Sequence, residues 1–319
     1  MPPSNYPAAS LLSKALALPL DEPFIYRGMC DASAAAALGD DLFVVANDER
    51  NQLKVYRHGH ADPVDIVDMS AFLGTRVDKE SDLEGAATIG ERIYWISSHG
   101  RNKKGEVQER RRRFFATDRV SSARAGEDNG GSIIAVGAPY AKLLDDIIAA
   151  EQHQQYDLAH AASLSPELQG AFNIEGLAAT LLGGLLIGLR NPVPKGMAVL
   201  LHLLNPAEVI EGRRARFGDA VELDLGGLAV RSIELVGLAY MIVAGPSGDQ
   251  GRFALFRWSG DPHDAPLELT QSHFDDVRPE ALFAIPGTRR VQLLSDDGGK
   301  HVDTLPETRQ TFRSVTISL

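Results

Sequence analysis

The chain has 319 residues, long for one hydrophobic core, so it holds either two domains or one large closed architecture. A net charge of -11 argues against nucleic acid as a partner, and a single cysteine, Cys30, excludes an internal disulfide framework or a multi-cysteine zinc site. With 30 glycines and 17 prolines, the turn density suits many short strands better than long helices.

Met1 to Tyr6 lacks the basic start and apolar run of a secretory signal, so the cytoplasm is the expected location. The first hairpin pairs Asp31–Ala36 with Leu42–Val45 across Gly39-Asp40-Asp41. The same unit recurs along the chain. Asp82-Leu83-Glu84-Gly85 leads to Ile93–Ile96, Asn173-Ile174-Glu175-Gly176 to Leu185–Leu189, Arg231–Glu234 to Tyr240–Val243, and Arg278-Pro279-Glu280 to Val291–Leu294. A further strand-like stretch follows each hairpin, and a fourth often follows that. Four antiparallel strands per repeat is the blade of a β-propeller.

Aligned on Ser33, Glu84, Glu175, Glu234 and Glu280, the intervals are 51, 91, 59 and 46 residues. Three fit single blades of roughly 40–50 residues. The long interval carries an insertion near residues 139–170, where Leu143, Leu144, Ile147 and Ile148 follow a helical period. Ser165-Pro166-Glu167 has the form of a helix start. The N-terminal stretch Leu11–Tyr26 and the last strand, Phe312–Leu319, are expected to meet in one blade and close the ring. The fold class read from the sequence is therefore an all-β, single-domain β-propeller over 1–319. It has five blades, with six as the alternative and an irregular β-sandwich as the plainer reading. The apolar run Gly176–Leu189 is broken by Gly183, Gly184 and Gly188 and is too short for a membrane span of roughly 20 residues. No membrane partner is expected.

In a propeller each innermost strand starts on the face to which the second strand returns. Glu84, Glu175, Glu234 and Glu280 are thus expected to gather around the axis. Near them fall His99, Arg101, Asn102, Lys103, Arg190, Asn191, Arg231, Arg278 and Asp296, with Asp31, Asn47 and Asp48 from the first repeat. The insertion lies on the same face, where it can form a lid. Clustered carboxylates repel in low dielectric, and a bound cation, paired arginines or raised pKa values would each relieve them. Calcium or another divalent cation takes the oxygen ligands such a ring offers. Equally, each glutamate can simply tie its strand to the neighbouring blade. The loop Ser97–Gly105 is cationic and glycine-flanked, a pattern suited to an oxyanion, though such charge runs are more often solvated. No Gly-x-Ser-x-Gly elbow, His-Glu-x-x-His zinc motif or phosphate-binding Gly-Lys-Ser/Thr loop occurs.

Several segments resemble the bacterial family known as domain of unknown function 3616. They are Asp82–Ala87 with Ile93–Asn102, Asn173–Leu177, Gly188–Pro192, Asp224–Leu228, Val243–Pro246 and Leu294–Gly298. That family's name carries no activity. More distantly, the Glu-Gly strand openings are similar to those of esterase-like phytases, which implies a propeller acting on phosphoesters and transfers no catalytic residue. Two functions stand side by side. In a metal-assisted phosphoester or ester hydrolase, Glu84, Glu175, Glu234 and Glu280 hold the metal. His99 and Arg101 act on the anionic group, and Asn102, Lys103, Arg190, Asn191, Arg231, Arg278 and Asp296 bind the ligand. In a non-catalytic module, the same face captures a small anionic ligand or a protein partner.

Overall fold

A computed structural model describes residues 21–319 except 48, 121–130, 167, 249, 270–273, 275–276 and 299–303. The expected contributions of Asp48, of Glu167 and of residues 11–20 lie outside the described residues. The chain enters through β1 (Phe24–Arg27) and then builds the first blade from β2 (Ala32–Ala37), β3 (Leu42–Asn47), β4 (Gln52–Arg57) and β5 (Asp65–Asp68). A short helix, α1 (Ser70–Leu73), leads to β6 (Leu83–Ile89), β7 (Arg92–Ser97), β8 (Phe114–Val120) and β9 (Ser132–Tyr140). After α2 (Leu143–Ala149) and α3 (Leu158–Ser163) come β10 (Asn173–Ala179), β11 (Leu185–Asn191) and β12 (Ala198–Leu203). The third blade ends with α4 (Pro206–Val209) and β13 (Val221–Leu223). The fourth blade is β14 (Ala229–Val236), β15 (Ala239–Gly245), β16 (Ala254–Trp258) and β17 (Leu267–Glu268). The fifth is β18 (Pro279–Ile285), β19 (Arg290–Ser295) and β20 (Thr311–Ser318), completed by β1.

Each blade is a four-stranded antiparallel sheet, and the innermost strands β2, β6, β10, β14 and β18 each contact the next around a closed ring. The architecture is a five-bladed β-propeller, neither six-bladed nor a sandwich. Phe24 pairs with Ser314 and Arg27 with Thr311, so the first and last described strands share a sheet. At this seam Tyr26, Phe43, Tyr56, Phe283 and Phe312 stack or meet edge to face with ring centroids 5.1–5.6 Å apart. The buried Lys54 ammonium bonds the Gly28 carbonyl and Glu307 beside them.

The glycine after each early glutamate has a packing reason. A Cβ on Gly85 would sit 2.9 Å from both Ile96 Cγ2 and Leu177 Cβ. One on Gly176 would sit 2.7 Å from Val230 Cγ1. Neighbouring blades touch here with no room for a methyl group. Gly176→Ala is therefore expected to cost about 1–3 kcal/mol, the range for overpacking a filled core, as read by urea unfolding.

The helical insertion lies where the sequence places it. Leu143, Leu144, Ile147 and Leu158 are buried in the core shared by the second and third blades and by Val209, Ile210 and Phe217. Asp146 joins the insertion to the third blade by accepting from Tyr140 Oη, from Arg214 Nε at 3.0 Å and from the Ala215 N–H at 3.0 Å. No helix among the described residues is long and apolar enough to cross a membrane.

Candidate functional site

At the start of every innermost strand the pairing register skips one residue. The skips fall between Ala32 and Ala34, Leu83 and Gly85, Ile174 and Gly176, Val230 and Ser232, and Pro279 and Ala281. A bulge leaves its extra residue unpaired and re-aims its side chain. The bulged residues are Ser33, Glu84, Glu175, Arg231 and Glu280, one per blade. The fourth blade thus supplies an arginine where the sequence alignment placed Glu234. Glu234 lies further along β14, opposite Met241. The corrected intervals flanking this blade are 56 and 49 residues. A sequence signal for the correct register exists. Ser33, Glu84 and Arg231 each stand six residues before the turn glycines Gly39, Gly90 and Gly237, whereas Glu234 stands only three before Gly237.

The arginine organises the ring. Arg231 Nε lies 2.7 Å from Glu175 Oε2, close enough for an ion pair but out of line for a hydrogen bond. Its Nη2 donates to Glu280, and its Nη1 donates to the Pro246 carbonyl at 3.2 Å. The side chain is 5% exposed. Despite the cost of burial, Glu175, Glu280 and Glu84 hold the guanidinium charged. Burial pushes the Glu175 carboxyl up, while Arg231 and Arg190 oppose it. Arg190 donates to Glu175 at 2.6 Å and to the carbonyls of Ser247 and Gly248 at 3.1 and 3.0 Å. Asn191 donates to the Ser247 carbonyl at 3.1 Å. These two residues therefore tie the third blade to the fourth. Ser33 makes the same kind of tie, from the first blade to the second, by donating to the Leu83 carbonyl at 2.6 Å.

Of Glu84, Glu175, Glu234 and Glu280, two pair with Arg231 (Glu175 and Glu280), and Glu234 lies further along β14. Among the described residues no cluster of three or more His, Cys, Asp or Glu is placed to take a metal ion. Glu234 has its own environment. Burial pushes its carboxyl up to about 8, against the backbone hydrogen bond from Ala284.

The cationic loop of the second blade is mostly tied into the structure. His99 is 3% exposed, sits in a left-handed conformation (φ 57°) and places Nδ1 2.8 Å from the Ser97 carbonyl. Burial lowers its pKa to about 4, so the ring is neutral at pH 7 and contributes no charge to an anion. Arg101 donates to the carbonyls of Ala162 at 2.8 Å and Gly105 at 2.9 Å, joining the loop to the end of the insertion. Asn102 Oδ1 accepts from the N–H groups of Lys104 and Glu106 at 3.0 and 2.9 Å and shapes the turn. Lys103 is exposed.

Beneath this loop lies a cluster that sequence reasoning missed. Asp82, in a left-handed conformation (φ 55°), accepts from Ser98 Oγ, and the Gly100 N–H donates to the same hydroxyl at 3.1 Å. Arg111 lies 3.0 Å from Asp82 and 3.1 Å from Glu80. Burial pushes the Asp82 carboxyl up, with Arg111 opposing. No motif marks this group, because its members come from two separate loops.

The distinctive titratable feature lies at the seam of the first and fifth blades. Asp31 and Asp296 face each other in an isolated antiparallel bridge, which sets their Cα atoms about 4.5–5.5 Å apart. The Asp297 N–H donates to the Cys30 carbonyl at 2.9 Å and fixes the register. Asp31 is 6% exposed and accepts a hydrogen bond from the Cys30 thiol at 3.3 Å. Burial, then the charges of Asp296, Glu49 and Glu280, raise its pKa to about 7. Burial and Glu280 raise Asp296 to about 6, against the Gly298 N–H and the charges of Arg278 and Arg231. Two adjacent carboxyl groups that titrate near neutrality can donate and accept hydrogen bonds in the same pH range.

Residues 141–292, from the insertion into the fifth blade, match the family described as "Protein of unknown function (DUF3616)". No curated protein matches the sequence. Among solved structures, a Trypanosoma rangeli sialidase is 12% identical over 83% of this chain and 43% of its own, with a TM-score of 0.43. The present chain thus spans less than half the length of that sialidase. The PQQ-bound aldose sugar dehydrogenase of Streptomyces coelicolor is 11% identical over 94% of this chain and all of its own, TM-score 0.44. The β-propeller domain of Myceliophteria thermophila Cps50 (Swd1) is 7% identical over 93% and 99%, TM-score 0.44. None of the three lends this chain its activity.

Proposed function

We propose that the protein binds a small polar ligand on the central face of the propeller, where Asp31 and Asp296 exchange hydrogen bonds with its hydroxyl or amine groups. The observation that carries this reading is the bridged carboxyl pair, raised to about 7 and about 6 at the end of the innermost ring. Perturbed carboxyls gathered in one place are a common mark of a functional site. The arrangement supports binding through carboxyl groups better than metal-assisted attack on an anion. Glu175 and Glu280 already hold Arg231, and Arg101 and Arg190 already hold backbone carbonyls or a carboxylate. The test is a thermal-shift panel of polyols, monosaccharides, amines and sugar phosphates near pH 6.5. A stabilising ligand is expected for the natural protein. The Asp31→Asn, Asp296→Asn double variant is expected to bind it at least about tenfold more weakly, the effect of roughly 1.4 kcal/mol. Equal affinity in that variant would place the ligand elsewhere.

Hydrolysis of an ester or phosphoester is favoured by one feature of the same pair. The two carboxyls have separated pKa values near neutrality, as a general acid and a general base require. Turnover of nitrophenyl esters or nitrophenyl phosphate that Asp31→Asn abolishes would support catalysis. Binding without turnover would assign a non-catalytic module.

A further inference from the structure

The strongest charge asymmetry of the molecule lies apart from the carboxyl pair. Residues 101–113 hold seven cations (Arg101, Lys103, Lys104 and Arg110 to Arg113) and two carboxylates, in a chain whose net charge is -11. The structure compensates them unevenly. Arg110 and Arg111 share a single oxygen of Glu80, at 3.0 and 3.1 Å, and Arg111 also reaches Asp82. Among the described residues Arg112 has one carboxylate partner, the exposed Glu109 at 3.6 Å. The Arg113 guanidinium donates to the carbonyls of Leu73, Glu109 and Arg112. Arg101 likewise donates to carbonyls alone. Lys103 and Lys104 are exposed, and no described carboxylate pairs with them, with Arg101 or with Arg113.

The stretch is held in shape rather than free. The Asn102 turn, the Arg101 contacts with Ala162 and Gly105, and the His99 N–H bonded to the Arg111 carbonyl at 3.0 Å fix it over the second blade. A rigid ridge with surplus positive charge loses little freedom when it meets an anionic partner. Concentrated charge of one sign also steers a partner of the other sign to it. The ridge is short, and the acidic remainder of the chain repels any long polyanion that would run beyond it.

We propose that the Arg101–Arg113 ridge is a docking surface for a short acidic polypeptide segment. The segment's carboxylates pair with Lys103 and Lys104, which are exposed and have no carboxylate partner among the described residues. This surface is separate from the Asp31–Asp296 pair and does not depend on it.

The experiment is fluorescence anisotropy with a labelled glutamate-rich decapeptide, at low and at physiological salt, on the full chain. Binding is expected at low salt and should weaken steeply with added salt, because most of the attraction is between exposed charges. The Lys103→Glu, Lys104→Glu variant should lose binding at least tenfold at unchanged thermal stability, since both side chains are exposed. The Asp31→Asn, Asp296→Asn variant should bind the peptide as the natural protein does, which separates this surface from the ligand site. Absence of peptide binding at low salt would overturn the proposal, as would equal binding by the charge-reversed variant. So would tighter binding of a single-stranded oligonucleotide of equal charge, or a peptide effect explained by self-association of the chain in sedimentation.

Discussion

Replacing Arg231 by methionine is expected to destabilise the protein by about 3–5 kcal/mol, the range seen when one partner of a buried ion pair is removed. The magnitude follows from what remains. Glu175, 4% exposed, keeps Arg190 on one oxygen but loses its charge partner on the other. Glu280 loses Nη2 of the same guanidinium. Two carboxylates that faced a cation would then face each other, with Glu84 nearby. The loss is expected to be context-dependent. Adding Glu175→Gln and Glu280→Gln to Arg231→Met should recover much of it, because the uncompensated charges disappear with the arginine. Chemical unfolding of the single and triple variants reads both numbers. Equal stability of Arg231→Met and the natural protein would mean that the ring is not organised by this residue.

The second large effect is a pH dependence centred on Glu234. Its carboxyl is raised from an ordinary value near 4.5 to about 8 in the folded protein. Between these values the folded chain holds a proton that the unfolded chain has released. Folding stability from this group is therefore complete below about pH 4.5 and is lost progressively as pH rises through about 8. Glu234→Gln removes the titration. Near pH 9 the variant is expected to be more stable than the natural protein by on the order of 2–4 kcal/mol, with little difference near pH 4. Asp31 and Asp296, also raised, give both proteins a residual decline in stability from about pH 4 to 7. Parallel stability–pH curves for the two proteins would show that Glu234 titrates as an ordinary surface carboxyl.

Much of the fold was legible because propeller blades repeat and their turns carry glycine. Gly39, Gly90, Gly183, Gly237 and Gly287 all have positive φ and mark the first hairpin of each blade. The helical period at Leu143, Leu144 and Ile147 likewise located the insertion. The ring was only partly legible. Glu84, Glu175 and Glu280 fell at equivalent places, but matching residue type in the fourth blade chose Glu234 over Arg231. Chemical likeness misled where the distance to the turn would have led to the arginine. That substitution matters physically, since one arginine turns a set of repelling carboxylates into a cross-blade ion network. Asp31 and Asp296 were visible only as neighbours of the ring. They are far apart in sequence, and their shared environment comes from the closure of the first blade against the fifth. The contact of Asp82 with Ser98 was not legible for a similar reason, because the left-handed backbone at Asp82 sets it.

Ligand binding on the central face depends on the protonation of the Asp31–Asp296 pair. Carbon-13 NMR titration of the aspartate carboxyls, assigned with Asp31→Asn and Asp296→Asn, measures it. The pair is expected to titrate with apparent pKa values of about 7 and about 6; Asp296→Asn should lower the value of Asp31, whose carboxyl the Asp296 charge raises, while Asp31→Asn leaves Asp296 near its value because Asp31 is still protonated when Asp296 titrates. Titration of both groups near 4, with Asp31 unchanged by Asp296→Asn, would mean that the two carboxyls form no shared site.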